Sequence, residues 1–115
     1  RRIITFNSIF VDSNDMANFL DDLYAKKLIK DQNTKELLGY MSKSWTGPLE
    51  LDPEYEDLSK KTGWLEDRMH FVGLMPDQNR AFSIYTETTT GDLYSYTDGT
   101  DMINDILGVV KASDL

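Results

Sequence analysis

Lys61-Thr62-Gly63 is the run in this sequence whose residue types and spacing best suit chemistry on a small substrate. A lysine supplies a cation, a threonine a hydroxyl donor, and a glycine lets a ligand or another backbone come close. The tripeptide means little by itself, so its position decides its value. It opens the first of several segments with a side-chain period of two, after two helical patterns and an irregular acidic stretch. On a strand, Lys61 and Gly63 face one side and Thr62 the other. At the edge of a sheet they would form a wall suited to an anionic substrate.

Other chemistries are poorly served. The chain has no cysteine and one histidine, His70. That leaves no disulfide framework, no thiolate metal site, no cysteine nucleophile and no site needing two imidazoles. Asp12, Asp15, Asp21 and Asp22 read as the capped, solvated face of a helix. Asp52-Pro53-Glu54-Tyr55-Glu56-Asp57 matches a calcium loop only in its number of acids, lacking the glycine and terminal glutamate spacing. No glycine-rich phosphate loop is present, and no cofactor is expected.

The elements that must position Lys61-Thr62-Gly63 are legible in the apolar spacing. Asp12-Ser13-Asn14-Asp15 offers N-cap candidates ahead of Met16, Phe19, Leu20, Leu23, Tyr24 and Leu28, which form one stripe of a helix. Asp31-Gln32-Asn33-Thr34 breaks it and caps a shorter helix with Leu37, Leu38 and Met41 on one face, ending near Ser42 to Ser44. Residues 44–58 hold two prolines and five acids without a sustained period, as in an ordered surface loop. Strands follow at Lys61 to Leu65, His70 to Met75 and Arg80 to Thr88. The turn Pro76-Asp77-Gln78-Asn79 joins the last two into an antiparallel hairpin. After a turn at Thr90-Gly91-Asp92, Leu93 to Tyr96 extends the sheet or covers it. Asp98-Gly99-Thr100-Asp101 then caps a helix through Ala112, with Met102, Ile103, Ile106, Leu107, Val109 and Val110 on a broad apolar face.

The expected fold class is therefore α+β. An antiparallel sheet of about three strands follows two helices and carries a C-terminal helix packed on it. Residues 12–115 form one domain, and residues 1–11 form an N-terminal extended segment that could add a strand, with helix as the other reading.

Length and composition set the outer bounds. At 115 residues the chain fits one domain, and its hydrophobic, aromatic and charged fractions of 40%, 11% and 28% are those of a folding sequence. Twenty acids against twelve Lys and Arg give a net charge of -8, which disfavours nucleic-acid and anionic-membrane partners. No apolar run approaches the roughly 20 residues of a transmembrane helix, and the first residues lack a signal-peptide core.

The run from Asp15 to Tyr24, then Thr34 to Met41, resembles the helix pair preceding the Lys-Thr-Gly strand of class A beta-lactamases and related penicillin-recognising serine hydrolases. Lys60-Lys61-Thr62-Gly63-Trp64, the strands Phe71 to Met75 and Arg80 to Thr86, and the helix Met102 to Lys111 follow in the same order. The resemblance covers about residues 12–114 and rests on the succession of elements. It implies that the sheet and helices are part of a beta-lactamase-like α/β domain.

The resemblance implies roles for five residues. Lys61 would hold positive charge near the substrate carboxylate and the nucleophile. Thr62 would donate its hydroxyl to that carboxylate, Gly63 would leave room for the acyl group, and Trp64 would offer its backbone N–H to the oxyanion hole. His70, nine residues after Lys61, lies near where many relatives place an arginine that also reads the carboxylate. The bland alternative for His70, a half-buried sheet residue without a ligand, stays open.

The departures matter as much. The family's nucleophile is a serine in Ser-x-x-Lys, helped by a Ser-Asp-Asn element and a deacylating glutamate, and these precede the helix pair. No serine here has lysine three positions later. The expectation is a C-terminal portion of a serine hydrolase acting on a beta-lactam or related amide, not competent alone and completed by an N-terminal portion. The resemblance also implies a periplasmic or extracellular location. Strand 80–88 would be left with an open edge for residues 3–11 or a second chain to pair with. The rival expectation is an acidic, non-catalytic protein-binding module of inhibitor or immunity type, with Trp45 and Tyr55 as exposed contact aromatics.

Overall fold

The computed structural model describes residues 12–113 apart from Pro48 and Tyr94, and only the backbone of Leu65. The expected segment 1–11 lies outside these residues. The order is α1 (Ser13–Tyr24), α2 (Asp31–Ser42), a 3-10 turn at Pro53–Tyr55, β1 (Lys60–Leu65), β2 (Arg68–Met75), a 3-10 turn at Pro76–Gln78, β3 (Arg80–Glu87) and α3 (Tyr96–Ala112). The strands form one antiparallel sheet in the order β1-β2-β3. The α+β expectation holds.

Local chemistry sets the helix ends. Asp12 caps α1 by accepting from the Asp15 backbone N–H at 2.7 Å, while Asp15 accepts from the Asp12 N–H at 3.3 Å. The helix stops at Tyr24, and Lys26 takes a left-handed backbone with φ of 63°. Leu28 is therefore not part of the expected stripe, and Phe19 is also exposed, whereas Leu20 and Leu23 are buried. In α2, Asp31 is the first helical residue and no side chain caps it from Lys30. Helix α3 starts earlier than Asp98, because Ser95 accepts from the Asp98 N–H and acts as its N-cap. Leu93 does not extend the sheet: it lies between β3 and α3 and is exposed.

The sheet has two different faces. Register places Lys60, Thr62 and Trp64 on the same side as Met69, Phe71 and Gly73 of β2 and Phe82 and Ile84 of β3. There Phe71, Met69 and Ile84 pack with Ile103 and Leu107 of α3 in the larger core. The opposite side carries Lys61, Gly63, His70, Val72, Leu74 and Tyr85, and Leu20 of α1 packs against Val72 and Leu74. This alternation follows from the period of two.

The acidic loop is ordered by α3. The Asp52 N–H donates to Asn104 Oδ1 at 2.8 Å, and Asn104 Nδ2 donates to the Glu50 carbonyl at 3.0 Å. Lys111 pairs with Glu54. Tyr55 contradicts the expectation of an exposed aromatic: it is 4% exposed and part of the larger core. Its ring is driven inward by the same apolar gain that buries Leu49.

Candidate functional site

Among the described residues β1 lies at one edge of the sheet, its outer side facing no other strand. The direction of its backbone groups can be deduced. The Leu74 N–H donates to the Ser59 carbonyl at 2.9 Å, so Ser59 turns its polar groups toward β2. Antiparallel alternation then turns the groups of Lys61 and Gly63 inward as well, and those of Lys60, Thr62 and Trp64 outward. Two side-chain bonds agree: Ser44 Oγ donates to the Lys60 carbonyl at 2.8 Å, and Lys61 Nζ to the Thr62 carbonyl at 2.7 Å.

The two adjacent lysines have different surroundings. Lys61 is exposed, its ammonium close to the outer edge. Lys60 is 3% exposed and donates to the carbonyls of Ser42, Glu56 and Leu58. Burial pushes its pKa below the usual lysine value, against the pull of Asp57 and Glu56. Lys60 is thus a tie between α2, the acidic loop and β1, a role the sequence reading missed.

Gly63 pairs with His70 across the β1–β2 ladder. A Cβ built on Gly63 would meet only His70 Cβ, at 3.9 Å, so the glycine leaves open space on the Lys61 face. His70 stacks on Tyr85 with ring centroids 4.0 Å apart and planes 5° from parallel. Arg68 occupies the same face two residues earlier, with Glu87 at 3.5 Å and Asp67 at 3.9 Å. Arg68, His70, Tyr85, Thr86 and Glu87 line an open cavity of about 350 Å³. Arg68 was not among the expected site residues, although a cation two positions from His70 on a strand must share its face.

Thr62 and Trp64 place their side chains elsewhere. The Thr62 side chain is buried on the side of Phe71, away from Lys61. The Trp64 indole meets the Tyr96 ring edge-on, 5.1 Å between centroids and 87° between planes. The fold therefore gathers Lys61, Gly63 and His70 on one face, while Thr62 and Trp64 reach the edge through their backbones. Chemically this edge offers a cation, outward amide groups and a gap free of side chain, the ingredients for holding a carboxylate and a carbonyl oxygen. Among the described residues no group of three His, Asp or Glu could hold a metal ion.

His70 also carries a pH signature. Burial, and secondarily the Arg68 charge, lower its pKa from 6.5. As pH falls past 6.5 the unfolded chain takes up the proton first, so the stability present above that value is lost through the lowered folded pKa. Denaturant titrations between pH 8 and 5 should show this loss, and His70→Gln should flatten it. An identical slope in both proteins would place the titration at another group.

A model of the beta-lactamase enzyme family matches residues 7–110. No curated protein and no solved structure matches the chain.

Proposed function

Since this chain belongs to the beta-lactamase enzyme family, we propose that it supplies the Lys61-Thr62-Gly63 substrate-binding strand of a beta-lactamase-like serine hydrolase. The parent reaction is acyl transfer from a beta-lactam or related amide to a serine, followed by hydrolysis. The observation that carries this reading is the exposed Lys61 at the outer edge of β1, beside the open space at Gly63.

In this reading the substrate carboxylate lies against Lys61, with His70 and Arg68 on the same face. A neutral imidazole draws an anion weakly, which leaves the long-range attraction to the two permanent cations. The Trp64 N–H, directed outward from β2, donates to the carbonyl oxygen as negative charge develops on it. Thr62 contributes through its outward backbone, because its hydroxyl lies on the α3 side.

The serine nucleophile comes from a Ser-x-x-Lys in an N-terminal portion of the parent enzyme, and the assembled enzyme works in the periplasm or outside the cell. A strand of that portion, or of a second chain, pairs with the outer edge of β3, beyond which no strand lies among the described residues. The rival protein-binding module loses Tyr55 as a contact and keeps Trp45. The test is a nitrocefin assay on the purified 115-residue chain. Its rate should equal the buffer blank, and turnover that disappears in Lys61→Ala would overturn the missing-nucleophile argument.

A further inference from the structure

His70, the one histidine of the chain, stands on the Lys61 face with Gly63 opposite it, so no β1 side chain pairs directly with the imidazole. Stacking on Tyr85 at 4.0 Å sets the plane of the ring. Neither ring nitrogen hydrogen-bonds another described residue, which leaves both for a proton or a ligand. The ring also lines the open cavity of about 350 Å³ beside Arg68. Register puts His70 midway between the levels of Lys61 and Arg68, about 7 Å from each along the strands. The other charges of this face are acidic. Glu66 and Asp67 occupy the β1–β2 turn, and Glu87 of β3 and Asp67 lie 3.5 and 3.9 Å from Arg68. Burial, and more weakly the charges of Asp12 and Asp15, raise the Tyr85 pKa, which puts the α1 cap near the stack as well. These carboxylates offset Lys61 and Arg68. Carboxylates, lysine, arginine and tyrosine at their ordinary pKa values keep one charge state between about pH 5.5 and 7.5, whereas an imidazole changes its charge there.

We infer that His70 is a proton-gated contact for the substrate carboxylate: once protonated, it adds a positive charge between Lys61 and Arg68, so the site binds its anionic substrate more tightly as pH falls. This rests on the beta-lactam reading above and assigns a regulation to the same site. A carboxylate held at Lys61 has the imidazole as the nearest titratable group on β2. At that range on a half-buried floor a full charge attracts an anion far more strongly than a neutral ring does. The face of the Tyr85 ring, negative by its quadrupole, accommodates the added proton. Burial, and after it the Arg68 charge, lower the His70 pKa from 6.5, so the unbound ring is mostly neutral at pH 7.

One histidine gives one set of imidazole proton signals, so NMR titration of the full 115-residue chain reads His70 directly. Saturating benzylpenicillin should move its midpoint upward, because binding and protonation favour each other reciprocally. The methyl ester of benzylpenicillin, which lacks the carboxylate charge, should leave the midpoint in place. Calorimetry should find benzylpenicillin bound about fivefold more tightly at pH 5.5 than at pH 7.5, a coupling of ordinary size. His70→Gln should make the two affinities equal, with thermal melting at each pH to confirm that both proteins are folded. The gate is refuted by a midpoint that bound benzylpenicillin leaves in place, by an equal movement with the ester, or by an affinity ratio that survives His70→Gln. Each of these outcomes leaves the beta-lactam reading standing. If benzylpenicillin binds at neither pH, the beta-lactam reading itself fails, and the inference fails with it.

Discussion

Gly73→Ala should destabilise the chain by about 3 kcal/mol and lower its melting temperature by about 10 °C. A Cβ at this position would lie 2.5 Å from the Ser59 carbonyl oxygen, 2.8 Å from Phe82 Cζ and 3.2 Å from Lys60 Cα. Two of these three atoms are backbone, so no rotamer change relieves the clash. The Phe82 ring cannot withdraw either, because it is buried and stacked against Phe71 with centroids 5.6 Å apart. The remaining response is separation of β1 from β2 near Lys60, which shifts the Lys61 edge. The measurement is a thermal melt with amide exchange of residues 59–63. A melting point within about 2 °C of the original would mean that β1 and β2 are not held in close contact at Gly73.

Lys60→Met should cost about 2 kcal/mol, and Lys61→Met less than about 0.5 kcal/mol. Methionine fills the space of the lysine stem but leaves the carbonyls of Ser42, Glu56 and Leu58 without their shared donor. Two effects limit the loss. Removing a buried ammonium relieves its desolvation, and the adjoining cavity lets water reach the orphaned oxygens. The exposed Lys61 ammonium bonds only the carbonyl of its neighbour Thr62, so its loss should leave folding nearly unchanged, and under the proposed function it should also weaken substrate binding. Chemical denaturation of both variants separates the roles, and equal losses would refute the division between a structural and a site lysine.

The same pair yields a pH test. Burial lowers the Lys60 pKa below 10.5, so the unfolded chain binds more protons in the window beneath that value. The original chain should therefore gain stability relative to Lys60→Met as pH rises through the window toward 10.5. A constant difference between the two proteins across alkaline pH would show that Lys60 ionises alike in both states.

The strands show how far local pattern reaches. Alternation at Lys61 to Leu65, His70 to Met75 and Arg80 to Thr88 placed β1, β2 and β3 within two residues at each end. It also assigned Lys61 and Gly63 to one face and Thr62 to the other, because a period of two leaves no other arrangement. The Asp12 cap was legible because an acceptor side chain before an apolar stripe meets the free N–H groups of the first turn. Reading failed where a backbone stop or a nonlocal contact overrides the apolar pattern. Leu28 continued the α1 stripe in sequence, yet the left-handed backbone at Lys26 ended the helix first. Tyr55 sat among acids and read as exposed, but α3, more than 40 residues away in sequence, supplied the apolar surface that buries it.

By itself, the sequence determined the α+β order and the opposite faces of Lys61 and Thr62, since these depend on periodicity, and the succession of elements carried the resemblance to the family that the family-model match then showed. Only the tertiary structure decided between Lys60 and Lys61. Strand alternation separates the two lysines but cannot reveal which side meets three converging carbonyls and which meets water. Those carbonyls belong to α2 and the acidic loop, and only folding brings them to one ammonium.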